Sequence, residues 1–282
     1  MPQEIIDLLA DGTDANRRDK FRHGNVISPP ANGILIATGD IHGHRRNFER
    51  IRDFADLAQN PNTHLVLQEI IHGGTEDCEG GCLSYMLLFE AVRYKLTFPD
   101  QVHILMGNHD TAFINNNDVL KDGKEMNRAM LSALCREFGP KSDDVKLAMR
   151  QYLFSQPLAV RTESRIWLSH SLPGDSQVGK FDPQIMDRQL KISDTVRPGS
   201  VYAFTWGRKH SRQTLDTMAG LLDVDMFILG HQPQQNGWKK TGDNLIIIAS
   251  DHSHGCLLPI ELAKSYTVQE LAEAIVPLAS IS

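Results

Sequence analysis

The sequence predicts an α/β fold of layered, mixed β-sheets. Apolar strand patterns and helical patterns alternate through the first half of the chain, and strand-rich segments fill the second half. With 41 % hydrophobic and 23 % charged residues among 282, the composition is that of an ordinary globular protein. Several apolar strands end in short polar loops containing Asp, His, Glu or Asn, and α/β sheets bind ligands at the carboxyl ends of their strands.

The elements follow in order. Residues 1–30 join a short helical pattern (Ile5, Ile6, Leu8, Leu9) to a polar, Arg-rich stretch ending at Pro29-Pro30. They read as an N-terminal arm on a single domain of residues 31–282. Gly33 to Thr38 is a short β-branched run, the signature of a buried strand. Phe48, Ile51, Phe54, Ala55 and Ala58 lie at helical spacing over 44–58. Residues 64–69 form the next strand, and Leu83, Met86, Leu87, Phe89, Ala91 and Val92 mark a helix over 81–96. A Pro99-Asp100 turn precedes a third strand at 102–106. Helical patterns follow at 124–138 and 143–154, then short strands near 157–161 and 165–169. A helix at 211–222 leads to a strand at 226–229. The last strands are 244–249 and 256–261, before a terminal helix near 267–277.

Charge and cysteine content narrow the function. Lys and Arg number 29 against 35 Asp and Glu, a net charge of −6. Such a chain has no electrostatic reason to hold nucleic acid, which is not an expected partner. The acidic N-terminus lacks an apolar core, so no signal peptide is expected, and no apolar run is long enough to span a membrane. The four cysteines (Cys78, Cys82, Cys135, Cys256) form no CxxC pair. A reducing cytoplasm is the expected compartment. Histidine is the unusual residue, with 12 copies.

The histidines cluster at strand ends. Gly39-Asp40-Ile41-His42-Gly43 follows the first strand. Glu69-Ile70-Ile71-His72-Gly73-Gly74 follows the second, and Gly107-Asn108-His109-Asp110 the third. Two later apolar strands end in His170 and His231, and Asp251 follows another. Adjacent parallel strands would bring Asp40, His42, Glu69, Asn108 and His109 to one crevice. Imidazole, carboxylate and amide oxygen suit Mn, Fe or Zn ions, and the absence of thiolate argues against a closed structural zinc site.

This order of motifs resembles the calcineurin-like metallophosphoesterases, and most closely their phosphoprotein phosphatase branch. The resemblance runs from about residue 33 to 255 and is carried by GDIHG, GNHD, Ser169-His170 and Gly230-His231. Gly230-His231-Gln232-Pro233 lacks the second His that many other superfamily members carry there, which favours that branch. The resemblance implies a four-layer αββα sandwich, two mixed sheets flanked by helices, holding two divalent or trivalent ions. By position, Asp40 and His42 match ligands of one metal. Glu69 matches the carboxylate that bridges both, and Asn108, His170 and His231 match ligands of the other. The implied reaction is in-line attack of metal-bound water on phosphorus, with two cations about 4 Å apart. His109 matches the general acid, and Arg208 a phosphate-binding arginine. The substrate would be a phosphorylated protein or a small phosphoester. A dinucleotide polyphosphate or cyclic nucleotide hydrolase of the same fold is the alternative, and a non-catalytic metal-binding scaffold is another.

The second motif departs from the family's GDxVDRG. Gln68 stands for Gly, Glu69 for the bridging Asp, His72 for the second acid and Gly73 for Arg. The usual partner of the catalytic histidine is therefore missing, and Glu76, Asp77 or Asp110 could replace it. Asp110 is accordingly placed with His109 in the catalytic set, and His72 with Arg208 at the substrate. His252 and His254 lie close to the expected site, whereas His23, His64, His103 and His210 read as ordinary surface or core residues.

Overall fold

The computed structural model describes residues 1–121 and 123–281. The chain opens with α1 (Pro2–Arg17), β1 (Arg22–His23), β2 (Val26–Ile27), β3 (Ile34–Asp40), α2 (Arg45–Ala55) and β4 (Thr63–Gln68). It continues through α3 (Ser84–Thr97), β5 (Val102–Leu105), α4 (Asn108–Ile114) and a hairpin of β6 (Leu120–Lys121) and β7 (Lys124–Glu125). Helices α5 (Met126–Phe138) and α6 (Ser142–Ser155) lead to β8 (Ala159–Arg161) and β9 (Ile166–Ser169). Then come α7 (Ser200–Trp206), α8 (Arg212–Leu222), β10 (Met226–Leu229), β11 (Trp238–Thr241) and β12 (Leu245–Ile248). The chain closes with β13 (Cys256–Glu261), α9 (Val268–Glu273) and β14 (Val276–Pro277).

The strands form a five-stranded sheet in the order β14-β13-β3-β4-β5 and a seven-stranded sheet in the order β1-β2-β8-β9-β10-β12-β11. Both are mixed. β3, β4 and β5 run parallel, as do β9, β10 and β12, with antiparallel strands beyond them.

Side-chain alternation stacks these sheets into four layers. On β10, Ile228 joins the core between the sheets, while Phe227 and Leu229 face the helices. On β4, Val66 points between the sheets, and Leu65 and Leu67 point to the helix side. β12 divides in the same way, Ile246 and Ile248 against Leu245 and Ile247. Each strand is apolar on both faces because each face is covered. This is the αββα sandwich that the resemblance implies. At one end the sheets touch, through a bridge between Asp40 and Ala249.

Several segments differ from the sequence expectation, among them α7, β11 and β6, where no element was expected. Residues 22–27 pair into the large sheet, with β2 alongside β8. The GNHD segment begins a helix, α4, where a loop was expected. The terminal helix stops at Glu273, and Val276 and Pro277 pair with β13 instead. A residue before proline favours extended backbone, which is what strand pairing needs.

His64 and His103, expected to be unremarkable, join a buried polar chain that ties the N-terminal segment to the sheet. The His103 Nδ1–H donates to Asp19 Oδ2 at 2.9 Å, and His64 Nδ1 lies 3.1 Å from His103 Nε2. Lys95, 1 % exposed, donates to Asp19 Oδ2 at 3.3 Å and to the carbonyls of Pro99 and Val102. Burial pushes the Asp19 carboxyl up, but His103 and Lys95 outweigh it and hold it at about 2. Burial and the neighbouring His103 lower His64 to about 4.

Candidate metal centre

The strand ends bring all six expected ligands and His109 together. Asp40 ends β3, Glu69 follows β4, Asn108 and His109 open α4 after β5, and His170 and His231 follow β9 and β10. All seven are buried. Five of the seven supply ligand atoms to two groups, with Asp40 and Asn108 beside them. His42, Glu69 and His109 offer atoms within 4.8 Å of one another, and so do Glu69, His170 and His231. Glu69 belongs to both.

The backbone is forced to make this arrangement. His42, Glu69, His72 and His231 all have left-handed φ values, at 44°, 47°, 68° and 64°. Each costs about 1–3 kcal/mol for a non-glycine residue, and such strain is retained where surrounding structure fixes it. Glycines make room for the carboxylates. A Cβ on Gly107 would lie 2.5 Å from Glu69 Oε1, and one on Gly230 would lie 2.5 Å from Asp40 Oδ1.

Hydrogen bonds orient the ligands. Glu69 Oε1 accepts the His109 N–H at 2.7 Å, while Oε2 stands 3.5 Å from both His42 Nε2 and His170 Nε2. The His231 N–H donates to both Asp40 oxygens at 3.0 Å. The His42 ring nitrogen Nδ1 lies 3.0 Å from the Ile71 carbonyl, and His170 Nδ1 lies 3.0 Å from Gln68 Oε1. A carbonyl and an amide oxygen can only accept, so both histidines carry their proton on Nδ1. Each Nε2 is left as a lone pair facing the carboxylates. His170 Nε2 also lies 2.8 Å from Asn108 Oδ1 and 3.1 Å from His231 Nδ1.

The electrostatics point the same way. Burial, followed by the charges of Asp40 and Asp110, pushes the Glu69 carboxyl well above the usual range. Burial also pushes Asp40 up, but His170, His42 and the His231 N–H outweigh it and keep it ionised. Two buried carboxylates confined together are costly unless a cation shares their charge. The Nε2 of His231 is buried without a partner. Oxygen and nitrogen donors with free lone pairs, together with this surplus negative charge, fit bound divalent or trivalent cations.

The remaining expected residues fall differently. His72 is fully buried, so it is not at the substrate. Its left-handed backbone turns the ring inward, with Nδ1 3.0 Å from His109 Nδ1, and it takes the place of the missing acid. Asp110 does not reach the His109 ring. Its Oδ2 accepts the Gly107 N–H at 2.8 Å and caps α4, a position set by its place in the helix's first turn. Burial and the nearby Asp40 push its carboxyl up to about 7. Glu76 and Asp77 pair with Lys124 and Arg136. Arg208 is exposed at the rim, and its Nη1 donates to the His231 carbonyl at 3.2 Å. His252 is held by the Gln234 carbonyl, and its other nitrogen accepts the His254 N–H.

Two residues were missed as site components. Gln68 is more than a departure from the motif: its amide donates to the Thr38 carbonyl at 2.7 Å while its oxygen fixes His170. Lys121, on the β6–β7 hairpin, pairs with Asp251 at 3.2 Å, and its charge lowers His42 and His109 after burial has done so. A lone lysine on a two-residue strand gives no sequence signal. Gln68, at the end of an apolar strand, could have been found as a polar residue facing the site.

Sandwich and strand-end cluster together define a metallophosphoesterase. The chain belongs to the calcineurin-like phosphoesterase family, whose model matches residues 35–235. It is 23 % identical over 235 residues to a serine/threonine-protein phosphatase of Caenorhabditis elegans, covering 77 % of this chain and 47 % of that protein. The chain thus spans about half the length of the curated relative it matches. Among solved structures it is similar to a protein serine/threonine phosphatase from Saccharomyces cerevisiae, with a TM-score of 0.65 and 12 % identity over 93 % of this chain and 83 % of that one. A cold-active protein-tyrosine phosphatase from a psychrophilic Shewanella species gives a TM-score of 0.58 at 15 % identity, over 86 % and 78 % of the two chains. These two structures bear on the fold alone. The motif likeness to the phosphoprotein phosphatase branch agrees with the C. elegans relative. Among the described residues, no helix is long and apolar enough to cross a membrane.

Proposed function

We propose that this chain hydrolyses phosphomonoesters at a centre that holds two Mn, Fe or Zn ions. The reading rests on one observation: Glu69 belongs to two buried ligand groups at once. One cation would be held by Asp40, His42 and Glu69. The other would be held by Glu69, Asn108, His170 and His231. When bound, such ions neutralise phosphoryl oxygens and lower the pKa of water.

The chain's own groups do the rest. Gln68 and the Ile71 carbonyl keep His170 and His42 in the ligating tautomer. Arg208 and Lys121 supply positive charge for the phosphate oxygens, replacing the arginine that the second motif lacks. His109 holds the proton for the leaving oxygen. Burial first, with His42 and His72 packed against the ring, keeps His109 well below its ordinary value, which favours its neutral form. A neutral His72 cannot stabilise an imidazolium as a carboxylate would. Esters with good leaving groups, which need little protonation, are therefore the favoured substrates.

The test is p-nitrophenyl phosphate hydrolysis after Mn²⁺ loading, with elemental analysis of the same sample. Turnover with close to two metals per chain supports the reading. Well under one metal per chain sinks it, and metal without turnover leaves a binding scaffold.

A further inference from the structure

A cavity of about 590 Å³ adjoins the metal centre on the Arg208 side. We propose that it binds a second phosphate group, so that small molecules with two phosphates are preferred to monophosphates. This rests on the phosphomonoesterase reading above.

Lys180, Arg197, Arg208 and Lys209 all line the cavity. Among the described residues, none of the four has a carboxylate partner, whereas Arg136, Arg165 and Arg188 each pair with two. The one acid in the lining, Asp175, is engaged. Its Oδ1 accepts the Ser211 N–H at 2.8 Å and the Thr214 hydroxyl at 2.7 Å. A chain of net charge −6 thus gathers around one cavity four cations that have no carboxylate partner among the described residues.

The cavity is tied to the centre at two points. Arg208 donates to the carbonyl of His231. Trp206, in the wall, donates its indole N–H to Thr111 on α4 at 3.0 Å. The wall also holds its cation in place. Tyr202 stacks on Trp206, with ring centroids 5.4 Å apart, and Arg197 lies over the Tyr202 ring while its Nε donates to the phenol oxygen at 2.7 Å.

Guanidinium and ammonium groups recognise phosphate through charge-assisted hydrogen bonds. With Arg208 serving the scissile phosphate, the other three (Lys180, Arg197 and Lys209) fit a dianion next to it. The volume lies within the range of about 300–1,000 Å³ typical of small-molecule sites. The cations line one cavity of small-molecule size, so the inference is made for a small molecule, and the doubly phosphorylated peptide is an arm of the test.

The Mn²⁺-loaded protein is compared on fructose 1,6-bisphosphate and fructose 6-phosphate, with p-nitrophenyl phosphate as the control. The expected kcat/KM advantage of the bisphosphate is about ten-fold or more, the size of one charge-assisted contact. Arg197→Gln combined with Lys209→Gln should remove that advantage and leave p-nitrophenyl phosphate turnover within about two-fold. Calorimetric binding of fructose 1,6-bisphosphate, which does not depend on turnover, should weaken by about ten-fold or more in the same variant. Unchanged binding in the variant, or an equal rate on both sugars in the parent, overturns the proposal. So does a larger gain on a doubly phosphorylated peptide than on the sugar. Failure on p-nitrophenyl phosphate with the binding loss intact would instead count against the phosphomonoesterase reading.

Discussion

Replacing Glu69 with Gln removes one charge and keeps the side-chain shape. Glu69 is 1 % exposed, and the Gln carbonyl can still accept the His109 N–H. Without metal, burial and Asp40 push the Glu69 carboxyl well up, so a negative charge there is a cost. Glu69→Gln should therefore leave the metal-free melting temperature unchanged or raised. With metal the sign reverses, because the shared charge is gone. A cation present at 100 times its Kd stabilises the native state by about 2.7 kcal/mol. At about 2–4 °C per kcal/mol for a domain of this size, that is a rise of about 5–10 °C. Calorimetry with and without Mn²⁺ should show this rise in the parent and little of it in the variant. An undiminished rise in Glu69→Gln would refute the shared role. Glu69→Asp adds a second arm. If the left-handed loop at residue 69 is placed to suit the longer stem, Asp should lose both metal and activity. A Glu69→Asp protein more active than the parent would show that the loop has not moved to suit Glu69.

Three further outcomes follow from other parts of the structure. His109→Ala should lower turnover of an alkyl phosphate far more than that of p-nitrophenyl phosphate, with metal content unchanged. Loss of metal would make His109 a ligand, which its position within 4.8 Å of His42 and Glu69 makes worth measuring. Lys121→Met should raise KM for p-nitrophenyl phosphate several-fold and change kcat little, and an unaltered KM would remove Lys121 from the substrate side. The third concerns acid. Burial and His103 hold the folded His64 at about 4, below its ordinary value of about 6.5, so the unfolded chain takes up its proton first as pH falls. Its contribution is complete above about pH 6.5 and is lost on descending to about 4, roughly 3 kcal/mol in all. It faces His103, Asp19, Lys20 and Asp100. Urea unfolding at pH 7 and pH 4 should show a pH penalty smaller by about that amount in His64→Gln. An identical penalty would place the acid sensitivity elsewhere.

Much of this was legible because the signals were redundant. β10 is a four-residue apolar run that ends in Gly-His, and both the strand and the ligand follow from that pattern. What stayed hidden depends on distant partners. The two-residue strands β1, β2 and β14 carry no periodicity and exist because β8 and β13 offer them an edge. The α4 helix was masked by its polar start, which also reads as a loop. His103 and His64 were passed over because their significance comes from Asp19, 84 residues from His103 in sequence. Lys121 was hidden for the same reason, since its partner Asp251 lies 130 residues away.

The four changes in the second motif belong together. Gly73, at φ 153°, packs on the first motif so closely that a Cβ would lie 2.4 Å from the His42 carbonyl oxygen. An arginine cannot be restored there without moving His42, which is itself a candidate ligand. With Gly73 locked in place, the left-handed His72 turns its ring under His109, and Ser84 accepts the His72 N–H at 2.8 Å. His72 is fully buried and Gly73 has no side chain, so on the proposed reading the positive charge that the family's arginine brings would come from elsewhere. On the proposed reading that charge comes from Arg208 and Lys121. Gln68 completes the set by fixing the ring of His170, a task that glycine cannot perform. Reverting Gln68 or His72 to the family residue removes a contact to His170 or His109. On the proposed mechanism the protonation of His109 would carry the consequence of this exchange, because the neighbour of its ring is an imidazole in place of an acid. Comparing leaving groups is for that reason a sharper measurement on this chain than the total rate on any one ester.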